Sequence, residues 1–255
     1  MMRREKIHAL ILARKNSGEA DRFLTLFTRD YGLLRVVAKG VRKIPSRRGG
    51  HLEPLTHALV IISGGPGHYF LAAVETQHEH LTLRRDTVAR AHAQTLAHLP
   101  IYLFEEAEVN ATLFDAVHHA WQILPDLEIA KQQTLVTAVT LHALRCAGLM
   151  PDLAACQACG VQQPTDAVIM DARGGGWRCL PCLTSLSGTR LSLSPRLLKA
   201  VRFIARYPER ALQVRLAAEE SQQIGATIQE YVEHTIGKSL LSPPAPLLTP
   251  LLYAQ

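Results

Sequence analysis

The sequence predicts an α+β chain: a small N-terminal β-barrel, an α-helical remainder, and a four-cysteine ribbon inserted into the helical part. Three observations carry this prediction. The apolar pattern is short and strand-like up to about residue 83 and helix-periodic beyond it. Glycine-rich turn chemistry punctuates the first part at close intervals. Two Cys-x-x-Cys pairs stand with 19 residues between them, 160 to 178.

The barrel is read from five apolar runs: Ile7 to Leu12, Phe23 to Thr28, Leu33 to Ala38, Leu55 to Ile62 and Tyr69 to Val74. Between them lie Asn16-Ser17-Gly18, Asp30-Tyr31-Gly32, Arg48-Gly49-Gly50 and Gly64-Gly65-Pro66-Gly67, which supply the backbone freedom that turns require. Five short strands in so few residues fit a small closed barrel such as the OB-fold. A half-open sheet or an SH3-like barrel would give much the same pattern. The chain is therefore divided into a barrel at 1–83 and a helical domain at 84–255, with the cysteine insertion at 152–190.

Helical spacing follows in order. Val88, Ala91, Thr95 and Leu99 make one stripe, Leu113, Val117, Trp121 and Leu124 a second, and Leu135, Val139, His142 and Cys146 a third. Gly148 and Pro151 end that third helix. Helices are expected again over Pro195–Tyr207 and Glu219–Leu241, and the Pro- and Leu-rich tail from Ser242 is expected to be irregular.

Cys156, Cys159, Cys179 and Cys182 are the sharpest motif. Each Cys-x-x-Cys turn lets two thiolates reach one tetrahedral ion, and two such turns close a four-thiolate shell at about 2.3 Å per bond. Val168-Ile169-Met170 and the residues around Trp177 read as the two strands that bring the turns together. The expectation is one structural zinc ion. Disulfides are disfavoured in a cytosolic chain. The fifth cysteine, Cys146, sits on an apolar helical stripe and reads as core.

The charge is unevenly spread. Residues 1–50 hold 13 Lys/Arg against 4 Asp/Glu, a net +9, whereas residues 51–150 carry −5 and the remainder +2. A basic lobe beside an acidic one points to a polyanionic partner, although a solvated basic face would look the same. Arg35, Lys39, Arg42, Lys43, Arg47 and Arg48 are the candidate DNA-binding residues. Arg35 and Lys39 alternate with Val36 and Ala38, so they should share one strand face. Phe23 and Phe27 are expected to fill the core, and Tyr31, in a turn, is the better candidate for base stacking.

Several function classes are set aside. The N-terminus lacks an apolar signal segment, and no apolar run approaches the ~20 residues needed to span a bilayer, so a cytoplasmic location is expected and no membrane role. Four cysteines leave a metal no open position for catalysis. His51-Leu52-Glu53 matches a deaminase H-x-E by letters, but Ala155 and Arg178 precede the cysteine pairs where that signature requires proline. No phosphate-cradling Gly-Lys loop is present. None of the 12 histidines is read as a ligand; His78 and His80 flank Glu79, and His118 and His119 sit mid-helix. The chain is expected not to be an enzyme. An RNA-binding or transcription-associated barrel-and-ribbon module is the alternative to a DNA role.

Two separate stretches then resemble one family. Gly18-Glu19-Ala20-Asp21-Arg22-Phe23-Leu24-Thr25-Leu26-Phe27-Thr28, with Tyr31-Gly32-Leu33-Leu34 and Ala38-Lys39-Gly40-Val41-Arg42, is similar to the N-terminal segment of the RecO family, and Ser46-Arg47 and Leu52-Glu53-Pro54 fit the same segment. Cys156 to Gly160 and Gly174 to Cys182 resemble that family's zinc region. The resemblance implies an N-terminal OB-fold and a helical domain with a zinc-binding insertion. It implies binding of single- and double-stranded DNA, annealing of complementary strands, and work with RecR to load RecA, in bacterial DNA repair and recombination. It also implies binding of the acidic, apolar C-terminal tail of single-stranded-DNA-binding protein. For that tail, Arg196, Lys199, Arg202 and Arg206 beside the stripe Leu197, Leu198, Val201 and Ile204 are the candidate partner-binding residues. A core helix with a solvated basic face is the competing reading. Past about residue 190 the likeness weakens: Gly237-Lys238-Ser239-Leu240-Leu241-Ser242-Pro243 replaces the family's expected Ser-Arg step.

Overall fold

The computed structural model describes residues 4–42, 52–65, 67–183 and 192–240. The expected five strands form: β1 (Arg4–Ser17), β2 (Asp21–Thr28), β3 (Gly32–Ala38), β4 (Thr56–Gly65) and β5 (His68–His78). They close into a barrel of order β1-β2-β3-β5-β4, the OB-like arrangement. Closure rests on two long-range pairings. β1 is shared, with Ala9 to Ser17 on β2 and Arg4 to Ile11 on β4, and its register shifts between Ile11 and Ala13 as the strand bends. β3 and β5 meet in parallel, Val36 opposite Tyr69 and Val37 opposite Phe70. β4 begins one residue later than the apolar run, because Leu55 adopts a positive φ of 64°.

The barrel interior is Ile7, Ala9, Ile11, Leu24, Leu26, Leu34, Val36, Ala58, Val60 and Ile62, all buried. β1 does not alternate as a half-exposed strand should. Leu10 and Leu12, which point away from this interior, are also buried, because they pack against the helices with Phe27, Leu33 and Leu55. A strand covered on both faces reads as a continuous apolar run, which explains Ala9 to Leu12.

The helical part comprises α1 (Leu81–Arg85), α2 (Thr87–Leu103), α3 (Ala111–Ile123), α4 (Ile129–Cys146), then after the ribbon α5 (Pro195–Arg206) and α6 (Ala218–Ile236). Local chemistry sets their ends. Asp86 caps α2 by accepting from the amides of Val88 and Ala89 at 2.8 and 2.9 Å, and Asn110 caps α3 through Leu113 at 3.0 Å. α4 runs through the centre: Leu135, Val136, Val139, Leu141 and Leu144 are buried, and Thr134 and Thr137 satisfy their hydroxyls on the carbonyls four residues back. α6 ends five residues before the expected Leu241: Gly237 takes the left-handed conformation that terminates helices, and Leu240 folds back into the core with its amide on Glu233. No helix among the described residues is long and apolar enough to cross a membrane.

Barrel and helices meet through a close backbone approach. Gly32 has φ +66°, and a Cβ there would lie 2.0 Å from the Glu108 carbonyl oxygen. The Ala107 amide donates to the Leu33 carbonyl at 2.8 Å across the same seam. Only glycine permits both the turn and the contact.

Candidate metal centre and nucleic-acid interface

The ribbon is a four-stranded sheet of order β6-β8-β7-β9, with β6 Asp152–Cys156, β7 Val168–Asp171, β8 Gly176–Cys179 and β9 Ser192–Leu193. Cys156 ends β6 and Cys179 ends β8, and the two strands run parallel, so both thiols emerge at the same end. The first turn is held by the Gly160 amide donating to the Cys156 carbonyl at 2.9 Å, with Gly160 at φ +74°. The second is a tight helical turn, Leu180–Cys182.

These turns bring Cys156, Cys159, Cys179 and Cys182 together, with their sulfurs all within 4.8 Å of one another. Individual Sγ separations are 3.7 Å for Cys156–Cys179, 3.6 Å for Cys159–Cys179 and 3.3 Å for Cys179–Cys182. Thiolates bound tetrahedrally at ~2.3 Å stand ~3.8 Å apart. The donor set and spacing therefore fit one metal ion, with no position left for water. The environment prepares the ligands unequally. Burial opposes ionisation of Cys156, but the amides of Cys159, Ala158 and Cys179 together outweigh it and bring the thiol down to about 6. Sharing a proton with the Cys179 thiol holds Cys182 up at about 12. Cys156 is thus predisposed to ionise, whereas Cys182 needs the cation's charge.

The ribbon is fastened to the helical domain by Arg202. Its guanidinium donates to the carbonyls of Leu153, Ala154 and Gln162 at 2.6, 2.9 and 2.8 Å, and lies 5.7 Å from the centre of the buried Trp177 ring. The helical pattern groups this residue with the candidate partner-binding arginines, and its contacts make it a structural clamp. The stripe Leu197, Leu198, Val201 and Ile204 is core, so the apolar face of α5 is not an open groove. Arg196 is paired with Glu220 on α6, and Lys199 is exposed. Arg202 and Arg206 do line an open depression of about 260 Å³, but its apolar wall comes from Met150, Pro151, Leu153 and Ala205, and a third arginine, Arg145, joins them. The sequence pattern gave no sign of that set, because it is drawn from α4, β6 and α5 together.

On the barrel, Arg35 is half-buried and ion-paired with Glu106 at 3.8 Å, whereas Lys39 is exposed with its Nζ 4.8 Å above the Phe70 ring. Arg42 donates to the Gly18 carbonyl at 2.8 Å. Lys43, Arg47 and Arg48 lie outside the described residues. Two further cations join this corner. Arg22 sits near Arg14 and Arg42, with Glu53 at 4.0 Å, and burial followed by the repulsion of Arg14 lowers its pKa. The β1–β2 register brings Arg14 and Arg22 near each other.

The same register aligns a row that sequence reasoning missed. Lys15 lies opposite Phe23, Phe23 opposite Val37, and Val37 opposite Phe70, across β1, β2, β3 and β5. Leu24, Leu26, Val36 and Leu71 point inward, so these residues point outward. Phe23, Val37 and Phe70 are only half-buried. The expectation that Phe23 fills the core is therefore corrected, while Phe27 is fully buried as expected. Tyr31 packs against the barrel core instead. The outer face thus carries two aromatic rings flanked by Arg35, Lys39 and Lys15.

Comparison with known proteins gives one consistent result. A family model described as Recombination protein O N terminal matches residues 2–79, and one described as Recombination protein O C terminal matches residues 84–244. A DNA repair protein RecO of Anaeromyxobacter dehalogenans (strain 2CP-C) is 31% identical over 242 residues, covering 94% of each chain. A DNA repair protein RecO of Anaeromyxobacter sp. (strain Fw109-5) is 35% identical over 185 residues, covering 71% of this chain and 72% of the relative. The match to a DNA repair protein RecO of Heliobacterium modesticaldum is 33% identical over 159 residues, or 62% of this chain and 57% of that relative.

Proposed function

The chain belongs to the recombination protein O family of DNA repair proteins, and from that membership we propose that it binds single- and double-stranded DNA and anneals complementary strands. The observation that carries the proposal is the outward row of Phe23, Val37 and Phe70 flanked by Arg35, Lys39 and Lys15. Aromatic faces accept any base, and cations beside them track the phosphates. Arg42, exposed beyond the end of β3, adds a further cation, and Lys43, Arg47 and Arg48, outside the described residues, are proposed to contact DNA as well. Residues 1–83 are the nucleic-acid-binding unit of this reading, and 84–255 the helical unit with its metal insertion at 152–190.

Annealing in this scheme is a binding activity. Neutralising phosphates lowers the repulsion between strands, and released counterions drive association. No nucleotide hydrolysis is required. Family membership favours this DNA role over the RNA-associated alternative. In the same role the chain would act in the bacterial cytoplasm on the nucleoid, with RecR, to load RecA on strands coated by single-stranded-DNA-binding protein. The depression between Arg145, Arg202 and Arg206 suits that protein's acidic, apolar C-terminal tail, since cations ring an apolar wall.

The test is a fluorescence annealing assay on complementary strands, with and without ATP, using wild type and the Phe23→Ala/Phe70→Ala double variant. Wild type should anneal equally in both conditions, and the variant should anneal far more slowly while keeping its melting temperature. A strict ATP requirement, or full activity in the double variant, would overturn the mechanism.

The ion at Cys156, Cys159, Cys179 and Cys182 is proposed to be a single structural zinc, because four thiolates form a closed, borderline-soft shell. Elemental analysis of chain prepared without chelator should find about one zinc per molecule. Cys156→Ser should lose it and loosen the ribbon. A metal content near zero would reject the assignment.

A further inference from the structure

Five histidines converge where the barrel meets α3. Strand register puts three of them on one face. His57 of β4 lies opposite Leu10 of β1 and opposite His78 of β5, and His8 is two residues from Leu10 along the same side of β1. α3 lays His118 over His57, with ring centres 4.3 Å apart. His80 follows His78 by two residues, at a positive φ of 48° that side-chain-bearing residues seldom adopt.

Two nitrogens in this group have no use in the protein. His57 is 7% exposed, and its Nδ1 is buried without a hydrogen-bond partner. The Nε2 of His80 is also buried and unpartnered. The other nitrogen of His57, Nε2, stands 3.1 Å from Nδ1 of His8. When that Nε2–H donates to His8, the orphaned Nδ1 carries a lone pair. A hydrogen bond from the ring's other nitrogen orients a metal-binding imidazole.

We propose that His57, His78, His80 and His118 form a second metal site, for a divalent transition-metal ion, with His8 fixing the tautomer of His57. Imidazoles bound at ~2.0–2.1 Å to one tetrahedral ion have ring centres about 5 Å apart. The observed separations are 4.3 Å for His57–His118, 5.8 Å for His57–His78, 6.0 Å for His78–His80, and 6.4 Å for both His78–His118 and His80–His118. The histidine nitrogens are not gathered as closely as the four cysteine sulfurs, so binding would draw the rings together by side-chain rotation, and the exposed His78 gives the ion its entry. The contact His118 would surrender is a 3.4 Å approach to the exposed amide of Gln122.

An all-imidazole set selects the zinc, cobalt, nickel and copper class over magnesium or calcium. Ligand imidazoles bind in their neutral form. Asp115 lies close enough to His118 to favour a cation, and Arg84 acts against one at His80. Arg84 is anchored, donating to the Pro54 carbonyl at 2.9 Å and to the Thr56 hydroxyl. An ion here would tie β4, β5 and α3 together, and so fix the barrel against the helical domain.

The experiment uses the full chain without an affinity tag, loaded with one equivalent of zinc to fill the four-cysteine site, then titrated with cobalt(II). One further equivalent should bind, with a tetrahedral visible band lacking the sulfur-to-metal bands of a thiolate site, and the melting temperature should rise. His78→Gln and His118→Gln should each weaken this binding by roughly tenfold or more, and His119→Gln, an exposed neighbour, should leave it unchanged. If His57→Asn does not fold, His78→Gln at the open edge still decides. No further equivalent, a band of thiolate character, or wild-type affinity in both histidine variants would overturn the proposal.

Discussion

Phe23 and Phe27 stand on one strand, four residues apart, and both point outward from the same barrel. Their surroundings differ. Phe27 is fully buried, with Phe114 of α3 at 5.8 Å between ring centres and Leu10, Leu12 and Leu33 in the same core. Phe23 is half-buried, beside Val37 and in line with Phe70 and Lys15. The helical domain covers one side of the barrel and leaves the other open. The same residue type therefore contributes to folding on the covered side and is left available for a ligand on the open side. What decides the role is whether α3 reaches that part of the wall.

The difference can be broken by truncation. Phe27→Ala should lose about 3–5 kcal/mol, the transfer energy of the ring together with the cavity it leaves. Phe23→Ala should lose well under about 1 kcal/mol, as a surface change away from any core contact. Denaturant titration of the two variants checks both values. Equal losses would mean that the open face is covered in solution, and that the aromatic row is not available to DNA.

What was legible in the sequence follows how local each feature is. The ribbon was readable because each pair of ligands lies within one turn, and Cys156 and Cys179 are joined by strands that their own flanking residues specify. The strands were readable from apolar runs and glycine turns. The aromatic row was not, because Phe23, Val37 and Phe70 are neighbours only through the register of three strands. Alternation within Phe23 to Phe27 should have signalled it: with Leu24 and Leu26 inward, both phenylalanines must face out. The histidine cluster was hidden for the same reason, since His57 stands on β4 and His118 on α3, far apart in the chain. The stripe on α5 misled in the opposite direction. Amphipathic spacing marks a buried face, but says nothing of what buries it, and here the core does.

The smallest expected effect separates charges on the two sides. Arg29, at the covered edge, is bound by both oxygens of Asp115 on α3, at 3.0 and 3.1 Å, and the aspartate raises its pKa. Its charge is compensated within the protein. Lys39, on the open face, has an aromatic ring beneath it at 4.8 Å, a contact that leaves the positive charge directed at whatever lies on that face. Each cation that meets a phosphate releases condensed counterions, so it adds a fixed increment to the salt dependence of binding. Lys39→Ala should therefore flatten the slope of log K against log salt for single-stranded DNA by about 0.7. Arg29→Ala should leave that slope unchanged. Fluorescence anisotropy of a labelled oligonucleotide over a series of salt concentrations measures both. A flattened slope in Arg29→Ala with none in Lys39→Ala would place the DNA on the helical side of the barrel, and the roles of the two faces would have to be exchanged.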